Sequence, residues 1–461
     1  MSLIKSISGF RGTIGGKPND NLTPIDIVKF ASAYGSWLIN KAPGRKKVVV
    51  GRDGRMSGEM VEALVEQSLL ALGIDVIHLG LSTTPTVEMA VVFEQADGGI
   101  IITASHNPKQ WNALKLLNDK GEFVNSEEGK VILALASNED FNYATIDNIG
   151  AIIPNDHSLE KHIKAVVHYP LVDVAAIKAA NFSVVVDAIN SSGAFAVPDL
   201  LKAIGVSTIT VLNGEMTGDF AHNPEPLKEN LTALCSTVVS EKADLGIAVD
   251  PDVDRLCFVS EDGELFGEEY TLVAVADYIL QNKIGNTVSN LSSTRALRDI
   301  TEKHGGVYFA SAVGEVNVVT KMKQEAAVIG GEGNGGIIVP DLHYGRDALI
   351  GIALFLTHLA KTKLSASALR ATYPAYFMSK KKMDLAGSVS LDKIFENLVT
   401  KFSQYPINRE DGLKIDFKDE WVHLRTSNTE PIIRVYTEAT SQQKADELAD
   451  EIITIIETMN N

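Results

Sequence analysis

The sequence predicts a multidomain α/β protein, and three observations predict it. Short β-branched runs recur along the chain, and each breaks off abruptly into a polar, Gly-rich or acidic loop. Amphipathic stretches at helical spacing follow these loops, the alternation that builds helix-on-sheet layers. Finally, 461 residues, 45% hydrophobic and 22% charged, are too many for one core and ordinary in balance for a globular chain. About three or four domains are therefore expected.

In chain order, Val48-Val49-Val50 runs into Gly51-Arg52-Asp53, and Ile100-Ile101-Ile102 into Thr103-Ala104-Ser105-His106-Asn107-Pro108. Val184-Val185-Val186 meets Asp187, residues 245–249 meet Asp250, and Val328-Ile329 meets Gly330-Gly331-Glu332. Continuous apolar runs mark parallel strands buried on both faces. Ligands in such folds sit beyond the C-terminal strand ends, so these loops belong at one rim of each sheet.

Helices are predicted over residues 59–72, ending at Gly73 as a C-cap, over 270–280 and 347–359, and over 441–459 with Ser441 as N-cap. The polar, aperiodic stretch 138–154 reads as a first linker. Turns at Glu261-Asp262-Gly263 and Tyr373-Pro374 mark later boundaries, giving expected domains 1–150, 151–258, 259–372 and 373–461.

A formal charge of −17 argues against nucleic acid or an anionic membrane as partner, but not against a small anion met by converging cations. Two cysteines, Cys235 and Cys257, favour a reducing compartment. Residues 1–12 lack a signal-peptide apolar run, and the most apolar stretch, 348–360, is too short to span a bilayer. A cytoplasmic protein, monomeric or homodimeric, is expected.

Four loops carry chemistry. In the first, Ser105 follows a strand end at a turn that exposes its hydroxyl, although Ser, Asn and Pro are turn formers in any case. A serine needs a base, a metal or prior phosphorylation to react, and His106 is placed to orient it. In the second, Asp250, Asp252 and Asp254 alternate in Asp250-Pro251-Asp252-Val253-Asp254-Arg255, an all-oxygen set for a hard cation such as Mg²⁺. An EF-hand is excluded, because Arg255 stands where that loop requires Gly.

The third loop, residues 330–336, has neither the Walker Lys-Ser/Thr nor a GxGxxG helix entry, so a nucleotide is not indicated. Glu332 and Asn334 offer an acceptor and an amide suited to sugar hydroxyls. The fourth, Arg425-Thr426-Ser427-Asn428-Thr429-Glu430-Pro431 with Arg434 beyond, joins guanidinium, hydroxyl and backbone donors into a phosphate nest. Arg11, Arg52, Arg55 and Lys115 are further cations near strand-end loops, each by itself read more simply as surface charge.

Together, in this order, the loops resemble the α-D-phosphohexomutase superfamily over essentially the whole chain. Thr103–Pro108 is similar to its phosphoserine loop and the three aspartates to its metal loop. Residues 332–335 are similar to its sugar loop, residues 425–431 to its phosphate loop, and Gly9-Phe10-Arg11-Gly12 to its N-terminal element. The resemblance implies four domains around a central cleft, three similar α/β units and a smaller α+β domain that closes over substrate. Val313-Gly314-Glu315 resembles the phosphoglucosamine mutases, whereas Asn334 and Gly336 replace the Ser and His of their bacterial sugar loop.

What the resemblance implies for chemistry is phosphoryl transfer between the 6- and 1-positions of a hexose phosphate, by way of phospho-Ser105, Mg²⁺ and a hexose 1,6-bisphosphate. Ser105 and the three aspartates would hold the metal. Glu332, Asn334, Gly335, Arg425, Ser427, Asn428, Thr429 and Arg434 would bind substrate, with Arg11 and Lys115 managing charge and protons and His106 orienting Ser105. Glucosamine 6-phosphate is the expected substrate, with glucose and mannose phosphates as alternatives. A metal hydrolase of alkaline-phosphatase type would need clustered zinc-binding histidines in the sequence, which are not seen, and a non-catalytic sugar-phosphate binder would not need Ser105.

Overall fold

The structure, a computed structural model, describes residues 2–6, 9–384, 391–426 and 432–460. Its described strands form four sheets of seven, four, four and five strands. The first three contain one kernel in the same topology. In the first, Trp111–Leu117 lies antiparallel to Gly98–Ile102, which is parallel to Lys47–Arg52, itself parallel to Asp75–Leu81. The second repeats this with Leu256–Ser260, Leu245–Val249, Ser183–Asp187 and Thr208–Leu212. The third repeats it with Gly336–Ile338, Ile329–Glu332, Thr287–Asn290 and Tyr308–Ser311.

In every kernel the third strand in chain order is buried along its whole length, and the fourth returns beside it as an antiparallel hairpin. The hairpin turns are the Ser105 loop, the aspartate loop and the sugar loop. The fourth sheet is wholly antiparallel, from Phe377–Asp384 through Ile432–Ala439, Trp421–Thr426 and Leu413–Asp416 to Ile407–Asn408. This is the four-domain α/β architecture expected from sequence.

Helix Gly58–Ala71 stops as predicted, with Gly73 at φ 81° and its N–H closing on Leu70. Asp347 is the cap of helix Ala348–Thr362 rather than its first residue; Oδ1 accepts from the N–H groups of Leu349 and Ile350, a contact worth about 1 kcal/mol. That helix is apolar all round because it lies in a core shared by the second and third units, where Phe355 stacks on Phe258 at 3.9 Å.

Two local expectations change. The stretch after residue 138 ends in strand Ile152–Pro154, which adds to Asp75–Leu81 and carries the first sheet past the boundary expected at 150. Gly330 and Gly331 belong to a strand, not to the loop read over residues 330–336. A Cβ on Gly330 would lie 2.4 Å from Met322 Sδ, and one on Gly331 2.1 Å from the Gly336 carbonyl. Those glycines permit close packing. Cys235 and Cys257 are not bonded to each other, and no described helix is long and apolar enough to cross a membrane.

Candidate active site

The Ser105 turn is held from beneath by a buried guanidinium. Arg55, 1% exposed, donates to the carbonyls of Ser105, Asn107, Pro108 and Trp111 and pairs with Asp53 at 3.1 Å. Asp53 also accepts from Thr103 Oγ1 at 2.6 Å, and that oxygen takes the Ser105 N–H at 2.9 Å. Ser105 itself sits at φ 49°, in the left-handed region. Arg52 is likewise engaged, by Glu62 at 2.9 Å and Glu59 at 3.2 Å. Of the loop-end cations read from sequence, these two hold structure together.

The hydroxyl of Ser105 donates to Asp250 Oδ2 at 2.6 Å, joining the first and second units across 145 positions. Asp250, Asp252 and Asp254 are all 0% exposed, and one ligand oxygen from each lies within 4.8 Å of the others. Val253, between two of them, is at φ 62°. A β-branched residue rarely adopts this conformation, which costs roughly 1–3 kcal/mol.

Asp252 Oδ2 accepts from Thr84 at 2.6 Å and from Lys115 Nζ at 2.7 Å. Asp254 Oδ2 accepts from Arg346 at 2.8 Å. The other oxygens, Oδ1 of Asp252 and Oδ1 of Asp254, are buried without a donor among the described residues. Orphaned carboxylate oxygens cost free energy unless a cation meets them. The donor set, all hard oxygen, fits a divalent cation of the Mg²⁺ class. Burial, and then the charges of Asp252 and Asp254, push the Asp250 carboxyl far above its usual range; a bound cation reverses that tendency.

Lys115 is placed on the aspartates, where their charge outweighs burial and raises its ammonium pKa. Arg11 lies on the neighbouring strand, paired with Ala113, while Lys115 pairs with Gly9. Residues two apart share a face, so the two cations are diagonal neighbours on one side of the sheet. His106 Nδ1 is 3.5 Å from Ser105 Oγ. Burial, reinforced by Arg255 and Arg346, lowers that ring to about 3, so it is neutral near pH 7.

Glu332 is also buried. Its Oε1 accepts from Asn290 at 3.0 Å and from the Gly314 N–H at 3.1 Å, and its Oε2 from Arg346 at 3.1 Å. Asn334 is half-buried and accepts from the Gly336 N–H. Gly335, at φ 84°, packs so tightly that a Cβ would fall 2.1 Å from the Leu256 carbonyl. Its own carbonyl takes the Leu256 N–H at 3.1 Å, bolting the sugar loop to the end of the aspartate loop.

Arg425 and Arg434 face each other directly across two strands, and Lys382 pairs with Arg434 on its other side. Like charges opposed across strands are destabilising unless an anion lies between them. Arg425 Nε also lies 2.9 Å from Asp411. Ser427, Asn428 and Thr429 fall outside the described residues.

Sequence reading missed Arg346, Asn290 and Thr84. Arg346, 7% exposed, spans Asp254, Glu315 and Glu332, and its Cδ occupies the space a Cβ on Gly336 would enter, at 2.3 Å. The only hint was a charged pair, Arg346-Asp347, opening an apolar helix. Thr84 follows a strand end, as the other site residues do, but without an unusual motif.

The Ser105 hydroxyl on Asp250, beside Asp252 and Asp254 at the strand ends of repeated α/β kernels, defines an α/β protein with a candidate divalent-metal site. Models of the phosphoglucomutase/phosphomannomutase family match four consecutive pieces. They are alpha/beta/alpha domain I over residues 4–143, domain II over 160–263, domain III over 267–376 and the C-terminal domain over 380–455. The chain is 37% identical over 97% of its length to a phosphoglucomutase/phosphomannomutase of Thermococcus kodakarensis, covering 98% of that protein. It is 32% identical over 99% to a phosphoglucosamine/phosphogalactosamine mutase of Sulfurisphaera tokodaii, covering all (100%) of it. A crystal structure of a phosphoglucomutase/phosphomannomutase family protein from Burkholderia thailandensis superposes with a TM-score of 0.84 at 25% identity, covering 98% of each chain. The chain belongs to the phosphoglucomutase/phosphomannomutase family of phosphohexomutases.

Proposed function

We propose that this chain interconverts the 6- and 1-phosphates of glucosamine through a phosphorylated Ser105 and a bound 1,6-bisphosphate. The observation that carries the reading is the Ser105 hydroxyl at 2.6 Å from Asp250, beside the unpartnered oxygens of Asp252 and Asp254. Asp250, Asp252, Asp254 and Ser105 would hold Mg²⁺, which when bound offsets the charge of a phosphoserine and polarises its phosphoryl group.

The chain's own residues do the rest. Lys115 and Arg11 present positive charge on the sheet face beside Ser105, suited to stabilising the transferring phosphoryl oxygens. Neutral His106 is suited to orient the serine rather than to donate a proton. Glu332 and Asn334 bind sugar hydroxyls, with Gly335 shaping their turn. Arg425 and Arg434, with Ser427, Asn428 and Thr429, grip the non-reacting phosphate. Phosphoryl leaves Ser105 Oγ for the free sugar hydroxyl; the bisphosphate reorients and returns its other phosphoryl group to Ser105. One clamp serves both halves, and water exclusion protects the intermediate.

Two features support glucosamine. The Val313-Gly314-Glu315 segment, which resembles the glucosamine mutases, touches Glu332 directly through Gly314. The Sulfurisphaera relative also carries that substrate in its name. The Thermococcus relative, named for glucose and mannose, favours a second reading. Turnover of glucosamine, glucose and mannose 6-phosphates, each with a trace of bisphosphate, separates the two by kcat/KM. Mass spectrometry of the wild-type Ser105 peptide tests the mechanism. Absence of phosphate there, with full turnover by Ser105→Ala, overturns it, and sugar-phosphate binding without turnover by wild type indicates a binding protein.

A further inference from the structure

Next to the aspartate loop, whose Val253 carbonyl takes the Ala348 N–H at 3.2 Å, four chemistry-bearing side chains from all three repeated units meet in the interior. His162 lies on helix Ser158–Val167 of the second unit, and His343 and Asp347 precede helix Ala348–Thr362 of the third. Glu88 lies on helix Thr84–Phe93 of the first. Asp347 Oδ2 is approached by His162 Nε2 at 2.9 Å and by His343 Nε2 at 3.3 Å. The three ligand atoms lie within 4.8 Å of one another. A tetrahedral ion with bonds of about 2.0–2.1 Å sets its ligands about 3.3 Å apart. The two distances to Asp347 Oδ2, 2.9 and 3.3 Å, are already close to that.

Each outer nitrogen faces an oxygen, although only that of His162 is hydrogen-bonded among the described residues. His162 Nδ1 meets Thr86 Oγ1 at 3.0 Å, and His343 Nδ1 faces Glu88 Oε2 at 3.4 Å. Metal-binding histidines commonly turn the second ring nitrogen to a carboxylate or other acceptor, which fixes the tautomer. Glu88 is 1% exposed, and neither of its oxygens has a hydrogen-bond donor among the described residues. Without an ion, one oxygen of Asp347 serves two imidazoles, and His343 must carry two protons to satisfy both carboxylates.

We propose that His162, His343 and Asp347 form a second metal site, selective for a borderline divalent cation such as Zn²⁺, that ties the three repeated units together. Two imidazoles and one carboxylate suit such an ion better than Mg²⁺, which prefers oxygen ligands. Glu88 and Thr86 act as outer partners. Binding replaces the two Nε2 protons with the cation and releases them to solvent.

The test uses full-length protein stripped with a chelator and loaded with Co²⁺ or Zn²⁺ alone. Co²⁺ on nitrogen ligands in low coordination absorbs visible light strongly, and six-coordinate Co²⁺ on oxygen weakly. The intense band is expected in wild type and in Asp252→Asn, which impairs the aspartate site, and is lost in His162→Gln and His343→Gln. Glu88→Gln weakens Zn²⁺ binding roughly 10–100-fold. If a histidine variant does not fold, the wild-type spectrum and the Zn²⁺-dependent rise in melting temperature of wild type and Asp252→Asn decide instead. Absence of the intense band and of that rise in wild type overturns the proposal and leaves an ion-pair latch. So does a band of unchanged affinity in folded histidine variants. Loss of the band in Asp252→Asn alone would place the ion in the aspartate loop and overturn the proposal equally.

Discussion

Arg346 donates through Nη2 to Asp254 Oδ2 at 2.8 Å, and its remaining nitrogens go to Glu315 and Glu332. One buried guanidinium thus binds the aspartate loop to the sugar loop. Arg346→Met removes the cation shared by three buried carboxylates, a loss of about 3–5 kcal/mol in stability. Removing a cation that competes at Asp254 also tightens divalent-ion binding, so millimolar Mg²⁺ recovers part of the loss through linkage. Urea unfolding of wild type and variant, with and without Mg²⁺, measures both effects; equal Mg²⁺ stabilisation of the two would contradict the coupling.

Gly335 admits no side chain. At φ 84° and with its Cβ position 2.1 Å from the Leu256 carbonyl, Gly335→Ala must move the sugar turn off the aspartate loop. A stability loss of about 1–3 kcal/mol is expected. If the turn binds sugar as proposed, KM should rise more than kcat falls, because the reacting atoms lie elsewhere. Thermal unfolding and steady-state kinetics report the two quantities.

Arg425 and Arg434 oppose one another across paired strands, and Asp411 at 2.9 Å from Arg425 Nε offsets only part of that repulsion until a further anion arrives. Arg434→Gln should therefore leave folding stability within about 0.5 kcal/mol, as surface changes do. Charged hydrogen bonds of about 1.5–3 kcal/mol lost to the substrate phosphate correspond to a KM increase of roughly 10–100-fold. A variant that unfolds more readily with unchanged KM would show the arginine to be structural.

Outside the site, His222 Nε2 meets Asp187 at 2.9 Å and Nδ1 meets the Asn223 carbonyl at 2.8 Å. Burial disfavours the imidazolium, but these partners prevail and raise its pKa above the ordinary value. The stabilisation is fully present below the unfolded value of about 6.5 and is lost as pH rises through the folded one. Urea midpoints should decline over that window in wild type, and the decline should shrink in His222→Gln.

Much of the architecture was legible because buried parallel strands are written as continuous β-branched runs. Runs such as Ile100 to Ile102 have no polar face and so declare both their state and their burial. The glycines at 330 and 331 misled, since a residue chosen for close approach to Met322 and Gly336 looks in sequence like one chosen for flexibility. Arg52 and Arg55, read from sequence as surface charge, are instead engaged by local carboxylates and carbonyls, which a guanidinium's place in the sequence does not reveal.

By itself, the sequence determined that this is an α/β chain with a serine turn, an alternating aspartate loop and a pair of arginines flanking a polar turn. Those features are local, and local spacing suffices to encode them. Only the tertiary structure decided that Ser105 meets Asp250, that Arg346 rather than a loop residue joins metal and sugar loops, and that His162, His343 and Asp347 converge. Each contact closes over tens to hundreds of positions. Such contacts arise from how separate sheets pack against one another, and no periodicity in a single chain records that packing.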